Sequence, residues 1–178
     1  PKPQNPALLK SLKNRLINFV LALLQLYQSH WSSVLKFIDF IDKSRVEFKS
    51  LPPEQISFPR SVSDVVKYKS SSDIYTKGTP IHVRGALLFN HYIKKHNLTN
   101  KYSLIQNGEK IKFCYLKKPN ILHENIISFI SDFPKELGID KYLDYDLQFE
   151  KSFLEPLKAI LDAIGWSVEK TVNLEMFF

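Results

Sequence analysis

Cysteine and glycine are scarce in this sequence of 178 residues, and each scarcity excludes a class of site. The single cysteine, Cys114, excludes an internal disulfide and fits a reducing compartment. It lies in the apolar run IKFCYL, where a thiol usually behaves as a small buried hydrophobic group. The five glycines are scattered, so there is no glycine-rich phosphate loop. No group of cysteine and histidine residues has the spacing of a zinc site.

Long uninterrupted apolar runs are also absent. The most apolar stretch, residues 16–26, is interrupted by Asn18 and Gln25 and is shorter than the roughly 20 residues that a membrane-spanning helix needs. No small-residue cleavage site follows it, which argues against a signal peptide. The chain starts at Pro1 instead of methionine, and we therefore expect a fragment or an excised product.

Positive charge and apolar residues are what the sequence has in quantity. The 25 Lys and Arg residues exceed the 18 Asp and Glu residues and leave a net charge of +7. Such an excess fits binding to nucleic acid, binding to an anionic membrane surface, or solubility alone. Hydrophobic residues make up 44% of the chain, which is enough for a packed core and argues against general disorder.

The N-terminal part of the chain predicts two helices. Apolar residues recur at helical spacing from Leu8 to Tyr27, and again over residues 34–48. Between these patterns, residues 29–33 predict a break. The apolar surface of this helical pair is broad, so we expect the following domain or a partner to cover it.

A boundary follows at Leu51-Pro52-Pro53, because two prolines cannot continue a helix. Beyond it, the patterns predict an α+β fold that is mostly helical, with a small β element. The expected elements are short strands and turns over 54–81, a helix over 83–96, a strand over 110–116, loop and short helix over 123–146, and a final amphipathic helix over 147–165.

Candidate catalytic groups are few. Asp140, Asp144 and Asp146 lie close together, and such carboxylates can hold magnesium, but we favour a solvated turn with acidic residues at a helix start. His82 fits a structural residue or a phosphate neighbour better than a general base. No nucleophile elbow supports a Ser/His/Asp triad.

Basic residues are concentrated in the middle of the chain. Those at turns and element ends can converge on phosphates, which gives affinity for nucleic acid of any sequence. A generic solvated basic surface explains the same composition equally well. The basic residues concerned are Arg60, Lys67, Lys69, Lys77, His82, Arg84, Lys94 and Lys95, followed by Lys110, Lys112, Lys117 and Lys118.

Five segments, in collinear order from about residue 50 to the end, resemble the thumb and C-terminal portion of family B DNA polymerases of T-even-type bacteriophages. The most informative has the pattern Lys-Gly-x-Pro-x-His-x-Arg-Gly leading into a helix. The N-terminal helices are more weakly similar to the last helices of the palm. The segments are 57–62 (SFPRSV), 74–90 (IYTKGTPIHVRGALLFN), 108–120 (GEKIKFCYLKKPN), 147–166 (LQFEKSFLEPLKAILDAIGW) and 168–178 (VEKTVNLEMFF).

The resemblance implies a domain division and a DNA-binding role. It implies a helical pair from the end of the palm over 1–50, a thumb domain over 51–166 and a clamp-binding tail over 167–178. The thumb of this family lies along primer–template duplex and holds its backbone. The resemblance assigns Lys77, Arg84 and Lys151 to DNA. We add Arg60, a basic residue at an element end, and His82, which lies between Lys77 and Arg84. Glu155 stands where the family often has a second basic residue.

The C-terminal tail resembles the hydrophobic peptide that family members insert into a pocket on the sliding clamp. A short chain end can bury large apolar side chains in a partner at a modest ordering cost. Judged without the resemblance, the tail fits packing on its own core better than binding to a partner. The residues implied in clamp binding are Leu174, Met176, Phe177 and Phe178.

The motifs of polymerase catalysis are missing. The resemblance implies metal-binding aspartates on palm strands and basic residues that bind the nucleotide, and this sequence contains neither motif. We therefore expect no catalytic residue, metal or cofactor in this chain, with magnesium held only by a palm-bearing partner. The expected partners are duplex DNA, the sliding clamp and that palm, in the cytoplasm of an infected bacterium. A stand-alone DNA-binding or clamp-interaction accessory module is the alternative.

Overall fold

A computed structural model describes Asn18 and residues 30–163, which belong to two compact units. One is the sheet unit, Pro52–Gln148. The other, the terminal unit, combines the described residues up to Leu51 with those from Phe149 onward. The predicted thumb domain, 51–166, therefore includes parts of both units. The predicted first helix and the tail over 167–178 lie outside the described residues, except for Asn18, which is helical.

Short helices and one small sheet make up the described chain, and the predicted α+β class is confirmed at that level. None of the described helices has both the length and the apolar content that a bilayer crossing requires. The elements in chain order are α1 (His30–Lys49), α2 (Pro53–Ile56), β1 (Phe58–Ser61), α3 (Ile81–Lys95), β2 (Lys110–Tyr115), β3 (Ile126–Phe129), two 3-10 turns (Lys135–Leu137 and Asp140–Tyr142), α4 (Tyr145–Phe149), a π-helical turn (Glu150–Leu154) and α5 (Glu155–Ala163).

The sheet is an antiparallel meander in the order β1-β2-β3. Phe58 pairs with Phe113 across the first two strands, and Phe113 pairs with Ser128 across the second and third. Because side chains alternate along a strand, Phe58 and Arg60 share one face of the sheet with Phe113 and Ser128. The predicted strand over 110–116 and the predicted helix over 83–96 correspond to β2 and α3.

Strand β3 corrects the expectation of loop and short helix over 123–146. All four residues of Ile126–Phe129 are buried, so the run has no alternation of polar and apolar positions. A short apolar run of this kind carries no period by which sequence can distinguish strand from helix. The two 3-10 turns and α4 account for the helical part of that expectation.

Helix α3 lies very close to β3, and Gly85 makes that approach possible. A Cβ at this position would collide with the Ser128 hydroxyl and would lie 2.9 Å from the Ser128 nitrogen and 3.2 Å from the Ile127 carbonyl carbon. Around this contact, Leu88, Ile126 and other apolar side chains are fully buried. Gly85 is therefore required for packing, although glycine lowers helix propensity.

The amide side chains of Gln148, which is buried, and Asn90, which is partly buried, form hydrogen bonds with backbone groups of the sheet unit. The Gln148 side chain accepts a hydrogen bond from the Tyr115 nitrogen at 3.2 Å and donates one to the Ile56 carbonyl at 2.7 Å. Asn90 exchanges two hydrogen bonds of 2.8 Å with the backbone of Ile105. Such pairing satisfies backbone groups that would otherwise be buried without partners.

Cys114 lies inside the sheet unit, as its apolar surroundings in the sequence predict. The residue is fully buried. Burial raises the pKa of its thiol to about 12, although a hydrogen bond with Ser57 opposes the increase. The thiol therefore stays protonated at neutral pH and behaves as an apolar group.

The terminal unit is held by aromatic packing. Phe48 of α1 meets Phe149 edge to face at 5.3 Å between ring centroids, and Phe149 stacks on Phe153 at 4.7 Å. All three residues are buried. The break predicted over 29–33 is wrong for residues 30–33, which are helical. Two serines without glycine or proline cost a helix only a few tenths of a kcal/mol each, roughly, and do not end it.

Replacement of Gly85 by alanine tests the close approach of α3 to β3. An alanine in an exposed helix would stabilise by about 1 kcal/mol, whereas crowding in a packed core costs about 1–3 kcal/mol. We expect Gly85→Ala to lower the free energy of unfolding, measured by urea denaturation. In the double variant with Ser128→Ala, the cost should be less than the sum of the single costs. Stabilisation by Gly85→Ala alone would contradict the packing role.

Candidate nucleic-acid interface

The start of α3 is built from a tight, exposed turn. Thr79 donates its hydroxyl to the Thr76 carbonyl at 2.6 Å, and Gly78 adopts a φ of +83°, which glycine accepts without strain. Lys77 lies exposed in this turn. Pro80 then occupies the N-cap position without a side-chain hydrogen bond to the helix. Pro80 therefore provides no cap for the first amides of α3, and the helix start is electropositive.

Arg60 and His82 come together beside this helix start. Arg60 is exposed on β1, and the His82 ring lies against Phe113 of β2 at 6.5 Å between centroids. Burial lowers the pKa of His82, and the positive charge of Arg60 lowers it further. The Ser128 hydroxyl donates to the His82 carbonyl at 2.9 Å and fixes the backbone there. A cation and a neutral imidazole thus share one side of the sheet.

Arg84 points its guanidinium into the protein. Its Nη2 donates to the side-chain oxygen of Asn125 at 2.5 Å, and its guanidinium carbon lies 5.7 Å from the centroid of the Tyr75 ring. The Tyr75 hydroxyl in turn donates to Glu124 at 2.5 Å. Arg84 Nε is buried and has no hydrogen bond within the described part of the chain. The side chain thereby joins α3 to the loop before β3.

The loop that receives Arg84 is itself ordered by a buried amide. Asn120 donates to the carbonyls of Lys117 and Glu124, at 2.7 and 2.6 Å, and accepts from the Leu122 nitrogen at 2.9 Å. Burial raises the pKa of Tyr75, and the neighbouring Glu124 raises it further. Tyr75 therefore remains a neutral hydrogen-bond donor at physiological pH.

Lys151 lies in the terminal unit, within the π-helical turn. Its ammonium forms an ion pair with Glu155, one turn further along. Glu155 is the acidic residue that departs from the polymerase pattern. Here it compensates the charge of Lys151, which weakens the field that Lys151 presents to a polyanion.

The acidic residues near α4 behave as helix-start groups. The Asp144 carboxylate accepts a hydrogen bond from the Leu147 nitrogen at 3.0 Å and so caps α4. Within the described residues, no group of three or more His, Cys, Asp or Glu side chains is arranged to hold a metal ion. The structure thus provides a specific capping role for one member of the acidic cluster.

Of the five residues expected to contact DNA, the structure brings two together and places a third in the adjoining turn. Arg60 and His82 interact electrostatically, and Lys77 precedes the same helix start. Arg84 is used in internal contacts, and Lys151 belongs to the other unit. The contacts of Arg84 with Tyr75 and Asn125 were not predicted, because no sequence pattern links residues so far apart. The four residues expected to bind a clamp, Leu174, Met176, Phe177 and Phe178, lie outside the described part of the chain.

Comparison with known proteins gives matches to two viral enzymes. The sequence is 25% identical over 136 residues to a DNA-directed DNA polymerase of Enterobacteria phage T4, and 27% identical over 136 residues to that of Escherichia phage RB69. The expected similarity to bacteriophage DNA polymerases is confirmed. No protein-family model matches the sequence.

The similarity covers most of this chain but little of its relatives. The two alignments span 74% and 73% of the chain, but only 15% and 14% of the two polymerases. The chain therefore corresponds to a small part of such an enzyme.

The internal contacts of Arg84 can be tested by removing its charge. We expect Arg84→Met to lower the free energy of unfolding by about 1.5–3 kcal/mol, because a charged hydrogen bond is lost and Asn125 is left without it. Lys77→Met, at an exposed site, should change the same quantity by less than about 0.5 kcal/mol. Urea denaturation of both variants measures the difference. Equal effects would show that the Arg84 contacts contribute nothing.

Proposed function

We propose that this chain is the thumb portion of a family B bacteriophage DNA polymerase and that it holds primer–template duplex by the sugar–phosphate backbone. The similarity to two phage polymerases supports the polymerase assignment. The positive charge of the chain supports a polyanionic ligand. Backbone contacts suit a replicative enzyme, because they hold every sequence equally.

The observation that supports this proposal most directly is the electrostatic interaction of Arg60 with His82 at the start of α3. Arg60 comes from β1 and His82 from the first turn of α3, and Lys77 lies exposed in the turn that precedes this helix. A phosphate bound there would meet the Arg60 guanidinium and helix amides that Pro80 does not cap, and the Lys77 ammonium is near in sequence. The negative charge of the phosphate would also favour protonation of His82, whose pKa is lowered in the free protein by burial and by Arg60.

Within this proposal, Arg84 and Lys151 have different tasks. Arg84 is a positioning residue, because it is held by Asn125 and Tyr75 and orders the loop beside the helix start. Lys151 contributes a DNA contact only if its ion pair with Glu155 opens. We therefore expect Arg60 and Lys77 to contribute more to duplex affinity than Lys151.

Catalysis belongs to another polypeptide segment in this proposal. The metal-binding aspartates, the magnesium ions and the nucleotide site are assigned to a palm-bearing portion that packs with this chain. The whole would act in the cytoplasm of the infected bacterium. The fragment alone should bind DNA without extending a primer.

The C-terminal residues supply the second part of the proposed function. Leu174, Met176, Phe177 and Phe178 form an apolar end suited to a pocket on the sliding clamp. Such tethering raises the effective concentration of the polymerase at the primer end without adding any contact to DNA.

Duplex binding is tested by fluorescence anisotropy of a labelled 20-base-pair duplex over a series of salt concentrations. We expect the double variant Arg60→Ala/Lys77→Ala to bind duplexes of several unrelated sequences more weakly, by a similar factor for each. The slope of log K against log salt should decrease by about two, since each phosphate contact contributes about 0.9.

A matched control removes two lysines from elsewhere in the sheet unit. Lys135 and Lys141 are exposed on the 3-10 turns, and Lys135→Ala/Lys141→Ala changes the net charge equally. We expect this control to leave the slope nearly unchanged. A decrease of the same size in both double variants would show that overall charge, and not the helix start, determines affinity.

Clamp tethering is tested by deletion of residues 174–178. We expect the shortened chain to lose binding to the sliding clamp of a related phage in surface plasmon resonance, while its duplex affinity stays within twofold. Substitution of Phe177 and Phe178 by alanine should reproduce most of the loss, because large apolar side chains dominate such interfaces. Clamp affinity that survives the deletion would reject the proposed tail function.

A further inference from the structure

At the C-terminal end of α3, three aromatic rings contact one another near the surface. His91 meets Tyr92 edge to face at 5.1 Å between centroids, and His96 stacks on Tyr92 at 6.4 Å. The Lys95 ammonium lies 5.7 Å from the Tyr92 ring centroid. His91, Lys94, Lys95 and His96 are exposed, whereas Tyr92 is half-buried and its hydroxyl donates to the Leu122 carbonyl.

The sequence around these rings contains no acidic residue. No Asp or Glu occurs between Asp73 and Glu109, a segment that includes all of α3. The carboxylate that reaches Tyr92 electrostatically is Glu124, whose Oε1 accepts the Tyr75 hydroxyl. The exposed ammonium groups of Lys94 and Lys95 therefore have no carboxylate in their own segment of the sequence to balance their charge.

A helix end alone explains only part of this arrangement. Basic residues in a last turn complement the negative end of the helix dipole, which accounts for Lys94 and Lys95. It does not account for two exposed imidazoles that flank a tyrosine. Exposed rings beside lysines are the combination that holds unpaired nucleotides, because bases stack on rings and phosphates pair with ammonium groups.

We propose that His91, Tyr92, Lys94, Lys95 and His96 form a second nucleic-acid surface, which binds an unpaired DNA strand. The five residues are named the α3 end surface. With a rise of 1.5 Å per residue, it lies about 14 to 21 Å from His82 along α3, so it is separate from the helix start that we assign to duplex. The proposal extends the proposed function, because it adds an unpaired strand to the duplex.

A single strand fits this surface better than duplex or an acidic protein. Bases in duplex are stacked on one another and offer no free face to His91 or His96. An acidic peptide would pair with Lys94 and Lys95 but would gain nothing from the rings. The rings and the lysines can therefore be tested separately, because each binds a different part of a nucleotide.

The experiment compares labelled oligothymidine of 20 nucleotides with a blunt 20-base-pair duplex in fluorescence anisotropy. We expect His91→Ala/His96→Ala to weaken single-strand binding about tenfold, with little change in the salt slope. Lys94→Ala/Lys95→Ala should weaken it and also reduce the slope by about one. Both variants should bind duplex within twofold of the unchanged chain.

Controls separate this proposal from the one on duplex. Lys135→Ala/Lys141→Ala should retain single-strand affinity, and thermal unfolding verifies that each variant is folded. Arg60→Ala/Lys77→Ala should lose duplex affinity and keep single-strand affinity. Single-strand affinity that is unmeasurable in the unchanged chain, or that both α3 end variants retain, overturns the α3 end surface. If the two α3 end variants lose duplex and single-strand affinity in parallel, the α3 end surface is also overturned. If Arg60→Ala/Lys77→Ala keeps its duplex affinity, only the duplex proposal fails.

Discussion

The close contact between the backbones of α3 and β3 is the constraint on which the sheet unit depends. Gly85 permits it, and the Ser128 hydroxyl uses it to reach the carbonyl of His82. His82 and Arg84 lie on the same helical turn as this contact, so the packing of the core also sets the positions of the polar groups at the surface. The stability of the core and the positions of these surface groups are thereby linked through one residue that has no side chain.

Polar side chains also hold segments outside the regular elements. Asn90, Asn120 and Gln148 each form hydrogen bonds with two or more backbone groups. Arg84 joins α3 to the loop before β3 through the side chain of Asn125. The basic stretch over residues 77–84 therefore contains residues in different environments, since Lys77 is exposed and Arg84 is held by internal contacts.

The spacing of apolar residues made the larger helices and strands predictable from the sequence. The contacts within the candidate site were only partly predictable. Helix α3 and strand β2 each mix buried and exposed positions, and their patterns of apolar residues are visible in the sequence. Strand β3 is buried at every position and has no such pattern. The approach of Arg60 to His82 depends on the register of β1 with β2, and that of Arg84 to Asn125 depends on tertiary packing. Neither is encoded by spacing along the chain.

The burial of Cys114 has a practical consequence for labelling. It is the one cysteine of the sequence, and its thiol is fully buried with a pKa of about 12. Because the thiolate is the reactive species, maleimide and similar reagents have almost no target in the folded protein. A cysteine introduced at an exposed position would then carry a fluorophore or spin probe selectively, with the native residue left in place.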